Sequence, residues 1–204
     1  MILMRRRSMS SEGYRRISFL ANPGKAYIDT GLELLMGDTI KCGFDLTDAY
    51  SPIGAIFSAG TGKVQTLFLT SSWTSRSYWR YFNRSANNIF HEEQYGSQCE
   101  VEITPERIMT LTQTETGRKN YATQREDMEN LDGDNTTLWL FLRRNGVQPF
   151  KGSMNYFCVE RSGSTILNLV PMISPSNVVG MYDTIGQQFY SSPNGETFVA
   201  GSEL

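Results

Sequence analysis

Four apolar side chains at two-residue spacing, Ile40, Cys42, Phe44 and Leu46, alternate with Thr39, Lys41, Gly43 and Asp45 in the stretch DTIKCGFDL. An extended chain sends successive side chains to opposite faces, so this pattern describes a half-buried antiparallel strand and does not suit a helix. QCEVEIT repeats it, with Cys99, Val101 and Ile103 facing one way and Glu100, Glu102 and Thr104 the other. KVQTLFLTS, SYWRYFN, TTLWLFLRR and SMNYFCVER are rich in β-branched and aromatic residues. They carry apolar side chains on both faces, as central strands of a two-layer structure do. No long segment has a 3.6-residue period, and NYATQREDMENL, with scattered apolar positions, predicts an irregular connection or a helical turn.

Turn signals punctuate these runs: NPGK, SAGTGK, TETGRK, LDGDN, RNG, RSGS, SPSN and SPNG. Many short strands separated by such turns predict an all-β fold, a two-sheet antiparallel sandwich or jelly roll. At 204 residues the chain is long enough for one such domain with a real core. The only natural boundary, at Ser11-Glu12-Gly13, divides a basic arm of residues 1–13 from a body of residues 14–204. Near the other end, VVGMYDTIGQQFYSS packs two apolar runs about Thr184-Ile185-Gly186. A chain end this apolar must be tied into a sheet or core, which predicts a hairpin that closes the fold.

A net charge of −2 argues against general nucleic-acid binding, for which a basic domain is expected. The exception is local: Arg5, Arg6, Arg7, Arg15 and Arg16 fall within the first sixteen residues. Three consecutive arginines make a short patch for nucleic acid, and the arm is read as docking on another protein chain. The bland alternative is an ordinary disordered chain start. Cys42, Cys99 and Cys158 are odd in number and widely spaced, which predicts reduced core thiols. MILM ahead of RRR fits no signal peptide, and no apolar run approaches a membrane span. The expectation is synthesis in a host cytoplasm without export, and no membrane insertion.

Two segments carry a family resemblance. YRRISFLANPGKAYIDTGLEL, from Tyr14 to Leu34, resembles the opening of a concanavalin A-like, laminin-G-type jelly-roll family found in bacteriophage structural proteins and gut-bacterial surface proteins, including its Tyr-Ile-Asp-Thr-Gly phrase at Tyr27 to Gly31. Gly152 to Gly201 is similar to the family's last strands, with Val170-Pro171 and the Gly-Met-Tyr-Asp at Gly180 to Asp183, and TTLWLFLRRNG is similar to a central strand with its Asn-Gly turn. The resemblance spans nearly all of residues 14 to 201, with Trp73 to Asn135 loose and lengthened. It implies a concanavalin A-like jelly roll whose two chain ends lie side by side, and it implies no particular activity.

Chemistry-bearing residues are sparse. Glycoside hydrolases on this fold need paired carboxylates, and Glu100 with Glu102 is the only such row; Pro105 interrupts it before Glu106, so a solvated strand face is expected instead. His91 is the only histidine, too few for a two-histidine zinc site, and no Gly-x-Ser-x-Gly elbow is present. SAGTGK lacks the spacing of a phosphate loop. No cofactor is expected beyond calcium, for which Asp132, Asp134 and Asn135 offer oxygen ligands, although Asp and Asn beside Gly also simply suit a turn.

The aromatic segment SSWTSRSYWRYFNRSANN is more informative. A strand over 77–84 puts Tyr78, Arg80, Phe82 and Arg84 on one face and Trp79, Tyr81 and Asn83 on the other. Core burial, a protein interface and sugar stacking on Trp73, Tyr78, Trp79 and Arg80 all remain open. Trp139, Phe141 and Arg143, opposite Leu138, Leu140 and Leu142, raise the same choice. With the phage setting that the family resemblance implies, the expected function is a non-enzymatic phage virion protein, a capsid or tail accessory component. It is anchored to other virion proteins by its arm, assembled as a homo-oligomer and able to present a glycan-binding surface. The alternatives are a lectin-like module at a bacterial surface and, behind it, a glycoside hydrolase.

Overall fold

A computed structural model describes residues 13–35, 37–45, 54–59, 66–71, 76–81, 84–85, 89–90, 98–104, 106, 108–117, 119–123, 137–142, 146 and 149–204. In chain order the strands among them are β1 (Arg15–Arg16), β2 (Leu20–Ala21), β3 (Ile28–Glu33), β4 (Thr39–Asp45), β5 (Gly54–Ala59), β6 (Thr66–Ser71), β7 (Arg76–Tyr81), β8 (Arg84–Ser85), β9 (Ile89–Phe90), β10 (Gln98–Ile103), β11 (Ile108–Gln113), β12 (Lys119–Thr123), β13 (Thr137–Leu140), β14 (Ser153–Arg161), β15 (Ser164–Ile173), β16 (Val179–Asp183), β17 (Gln188–Tyr190) and β18 (Val199–Ala200). There is no helix among the described residues.

The strands form two antiparallel sheets. The larger runs β12-β11-β10-β4-β14-β15-β16-β17, with β1 beside β15 and β2 between β14 and β18; the smaller runs β3-β13-β5-β6-β7-β8, with β9 beside β7. This is the two-sheet jelly-roll sandwich that the alternation and turn spacing predict. On β4, Ile40, Cys42 and Phe44 are fully buried, and on β10 so are Cys99, Val101 and Ile103, which pair across the ladder with Phe44, Cys42 and Ile40. From the other layer Ile28, Phe57, Leu138 and Leu140 point inward. Phe57 meets Phe157 edge-on across the two layers, ring centroids 5.5 Å apart. Each such side chain contributes about 1.5–3 kcal/mol by leaving water, so the sheets' inner faces hold the sandwich together.

Local chemistry sets the connections. β14 and β15 are joined through Ser162 and Gly163, both at positive φ (51° and 77°), the two-residue turn whose twist matches its strands. The tail hairpin is present: Met181, Tyr182 and Asp183 of β16 pair with Tyr190, Phe189 and Gln188 of β17. Its turn is organised by Asp183, whose carboxylate accepts from the backbone N–H groups of Ile185 (3.0 Å) and Gly186 (2.9 Å). The chain ends lie together: β18 pairs with β2, Ile17 bridges to Glu203, and Tyr14 packs its ring on Tyr182 and Phe189.

Four local expectations are corrected. The first four residues of NYATQREDMENL are not an irregular connection but part of strand β12, the outer partner of β11, while the rest of that segment lies outside the described residues; the Thr114–Gly117 turn with Gly117 at φ 66° reverses the chain, and ladder pairing decides what an ambiguous pattern does not. The strand predicted over 77–84 ends at Tyr81 and doubles back, so that Arg84 is the ladder partner of Tyr81 and does not continue the row of Tyr78 and Arg80. Phe141 does not continue Trp139's outward face: at φ 68° it leaves the strand conformation and is fully buried against Phe150 and Phe198. Cys158 is no core thiol, for it sits half-buried on the outer face of β14, in register with Lys41.

Candidate binding surface

The smaller sheet's outer face begins with the residues between its core-facing ones. Ile28 and Thr30 of β3 and Leu138 and Leu140 of β13 are buried, so Tyr27, Asp29, Thr137 and Trp139 point the other way and are half-buried. Asp29 and Trp139 are direct ladder partners. The rings of Tyr27 and Trp139 stack, with centroids 4.3 Å apart and planes at 28°. Beside them, Asp29 Oδ1 accepts from the Gly31 backbone N–H (3.0 Å) and from Thr137 Oγ1 (2.7 Å).

The closing hairpin and the loop after it support this patch from the side. The Tyr27 backbone N–H donates to Ser192 Oγ (3.1 Å), Ser192 Oγ donates to Asn194 Oδ1 (2.6 Å), and Asn194 Nδ2 donates to the Lys25 carbonyl (2.9 Å). Tyr190 of β17 is half-buried, and burial, helped by the charges of Asp183 and Asp29, raises its phenol above the ordinary value. The tyrosine therefore stays protonated in any physiological setting, with a hydroxyl that both donates and accepts. Flat rings on a rigid sheet beside an oriented carboxylate are what an amphipathic polyhydroxyl ligand needs: apolar C–H groups lie on the ring and hydroxyls reach the acceptor.

The carboxylate row lies elsewhere, on the outer face of the larger sheet. Lys41 Nζ donates to Glu160 (2.9 Å) and lies 3.6 Å from Glu102, and the Glu160 hydrogen bond raises the lysine's pKa. Glu100 is exposed and stands near Tyr156, whose phenol is pushed well above the ordinary value by burial first and by the Glu100 charge second. Glu102 is thus one end of a Glu–Lys–Glu array. No group of three His, Cys, Asp or Glu side chains among the described residues is arranged to hold a metal ion.

A groove of about 490 Å³ opens by β2, lined by Phe19, Asn22, Asp45, Lys151 and Val199 among others. Its one buried amide is committed to the fold: Asn22 Nδ2 donates to the carbonyls of Ala26 (2.9 Å) and Phe150 (3.1 Å), and Oδ1 accepts from Gly24 N–H (3.1 Å).

Of the site residues expected from sequence, Trp139 stands in the outward patch. Tyr78, Trp79 and Arg80 lie on β7, in register with Leu69, Phe68 and Leu67 of β6; their side chains, like Trp73, lie outside the described residues. So do Arg5, Arg6, Arg7, His91 and the calcium candidates Asp132, Asp134 and Asn135. Arg15 and Arg16 form β1 within the large sheet, and Arg15 donates to Glu203 and, at 2.9 Å, to Asn177 of its own chain. Tyr27, Asp29 and Tyr190 were missed. The signal was available in Tyr27-Ile28-Asp29, where a core isoleucine puts its two neighbours outward together.

No protein-family model and no curated protein sequence matches the chain. Among solved structures it is similar to full-length tailspike protein 2 from Escherichia coli O157:H7 bacteriophage CAB120, at 11% identity and a TM-score of 0.51 over 70% of this chain and 22% of the tailspike. It is also similar to a heptameric SAP-like pentraxin from Limulus polyphemus (13% identity, TM-score 0.45, 71% of this chain and 76% of that one) and to chicken galectin 2 (13%, 0.39, 67% and 98%). The chain thus spans about a fifth of the tailspike's length. At these identities the likeness concerns the fold: an all-β jelly-roll sandwich of two antiparallel sheets.

Proposed function

We propose that this chain is a non-enzymatic, glycan-binding jelly-roll component of a bacteriophage virion, a tail or capsid accessory protein. The arm of residues 1–13 attaches it to another virion protein, and the patch around Trp139 meets a surface polysaccharide. The observation that carries the binding part is the stacked Tyr27–Trp139 pair on the outward face of β3 and β13, with the oriented Asp29 carboxylate beside it. The phage setting rests on the sequence resemblance of residues 14–34 and 152–201. The non-enzymatic part draws support from Lys41, which lies 3.6 Å from Glu102 of the Glu100–Glu102 row and ties it into an ion-pair array with Glu160 of the neighbouring strand.

The test is retention of the purified chain on a panel of bacterial surface polysaccharides, with Trp139→Ala as the control. Binding that disappears in the variant while its melting temperature holds supports the proposal; equal binding by both proteins removes Trp139 from it. Mass spectrometry of gradient-purified phage particles tests the setting. Peptides at a fixed ratio to the major capsid protein, lost when residues 1–12 are deleted, support a virion component. Recovery from bacterial envelopes instead assigns the same binding surface to a lectin-like module there.

A further inference from the structure

Resting on that binding reading, we infer that the patch selects neutral glycans over anionic ones, and that Asp29 is the residue that imposes the choice. Two donors, Gly31 N–H and Thr137 Oγ1, hold the carboxylate through Oδ1. Oδ2 accepts no hydrogen bond from any described residue, and Asp29 is half-buried, in register with Trp139. An ionised carboxylate oxygen only accepts. A sugar lying on the aromatic pair therefore meets an acceptor fixed in direction before it arrives, which suits a hydroxyl and loses little entropy on binding.

An acidic sugar meets the same group badly. A uronate or sialate carboxylate brings acceptor against acceptor and charge against like charge, in a half-buried setting where water screens less than it does in bulk. Among the described residues the surroundings do not reverse this sign. Glu33 is on the same strand, its carbonyl accepting from Arg161 (2.9 Å), Asp183 acts on Tyr190, and Lys25, two residues before Tyr27, is exposed. Tyr190, kept protonated by burial and by the charges of Asp183 and Asp29, adds a neutral hydroxyl rather than an anion-binding group.

The test is affinity electrophoresis of the full chain in gels containing neutral polysaccharides (glucan, mannan, galactan) or anionic ones (uronate-bearing or sialylated), for the wild type, Trp139→Ala and Asp29→Asn. The expected result is retention by at least one neutral polysaccharide, lost in Trp139→Ala. In Asp29→Asn, which keeps an oxygen for Gly31 and Thr137 but replaces the free acceptor with a donor, affinity falls about tenfold. The preference for neutral over anionic gels narrows in that variant. Strongest retention by an anionic polysaccharide, still dependent on Trp139, overturns the role of Asp29 and leaves the binding surface standing; wild-type affinity in Asp29→Asn does the same. Absence of retention in every gel overturns both. The wild-type comparison of neutral with anionic gels needs no variant, so a misfolded Asp29→Asn protein cannot shelter the inference.

Discussion

Tyr156 lies across Gly43 on the outer face of the large sheet, so close that a Cβ at position 43 would sit 2.7 Å from the tyrosine ring. The two are cross-strand partners on β14 and β4, beside the β14 irregularity between Met154 and Tyr156. Glycine in a strand interior is ordinarily a weakness, and here it marks the seat of a ring. Gly43→Ala should cost about 1–3 kcal/mol by forcing that ring off its rotamer. Urea denaturation reads the loss, and combining the change with Tyr156→Ala should recover part of it, because the two residues are coupled. Additive losses would mean that the ring does not depend on the glycine.

Arg161 should be the most costly charged residue to remove from the sheet ends. Its Nε donates to Asp38 Oδ1 (2.7 Å) and one Nη to Oδ2 (2.8 Å), while Asp38, only 1% exposed, also accepts from Leu35 N–H (2.8 Å). Arg161→Ala leaves a buried carboxylate without its cation, a loss of about 2–3 kcal/mol. A change below about 0.5 kcal/mol in chemical denaturation, the scale of an ordinary surface substitution, would contradict the pairing.

Gly180 should be irreplaceable in the closing hairpin. A Cβ there would overlap the Tyr190 carbonyl oxygen of the facing strand, a backbone atom that cannot swing aside. Gly180→Ala is expected to open the β16–β17 pairing, exposing amides of residues 188–190 to hydrogen exchange before the rest of the large sheet. Because Tyr190 adjoins Asp29, glycan retention should weaken in the same variant. Unchanged exchange at those amides would refute the tight approach.

Stability should fall on the alkaline side. Burial raises the Cys42 thiol well above its ordinary 9.0, and Cys158, Tyr156 and Tyr190 shift the same way, burial being the first cause in each. A group whose folded pKa lies above its unfolded one gives its full contribution below the unfolded value and loses it as pH climbs through the folded one. The urea midpoint should therefore hold near neutrality, begin to drop at about pH 9 and steepen above about pH 10. Cys42→Ala should shallow the first part of that slope. A midpoint that rises between those values has the wrong sign for this account.

Much of the sandwich was legible where one face of a strand is buried and the other is wet. In 39–45 and 98–103 the pleat translates directly into alternation, and the turns at Ser162-Gly163 and Asp183 to Gly186 announce themselves by residue type. The errors fall where tertiary context decides. Strand β12 exists because β11 offers it a ladder, and Phe141 turns inward because Phe150 and Phe198 make a place for it. The outward aromatic patch was half legible. Trp139 stood out as a large outward aromatic, but its partner Tyr27 comes from the far end of the sequence, and only the β3–β13 ladder brings the two together. In the sequence Asp29 is only one member of the Tyr-Ile-Asp-Thr-Gly phrase, and it gains a role when Thr137 is placed beside it.

The central claim is that a glycan settles on the Tyr27–Trp139 pair. The most direct measurement is a two-dimensional ¹H–¹⁵N NMR titration of the chain with a soluble bacterial polysaccharide, following the three tryptophan indole N–H signals assigned by substitution. Progressive, saturable movement of the Trp139 signal, together with the backbone amides of Tyr27 and Asp29, is the predicted result. A saturating titration that leaves those signals in place and moves others would contradict the account.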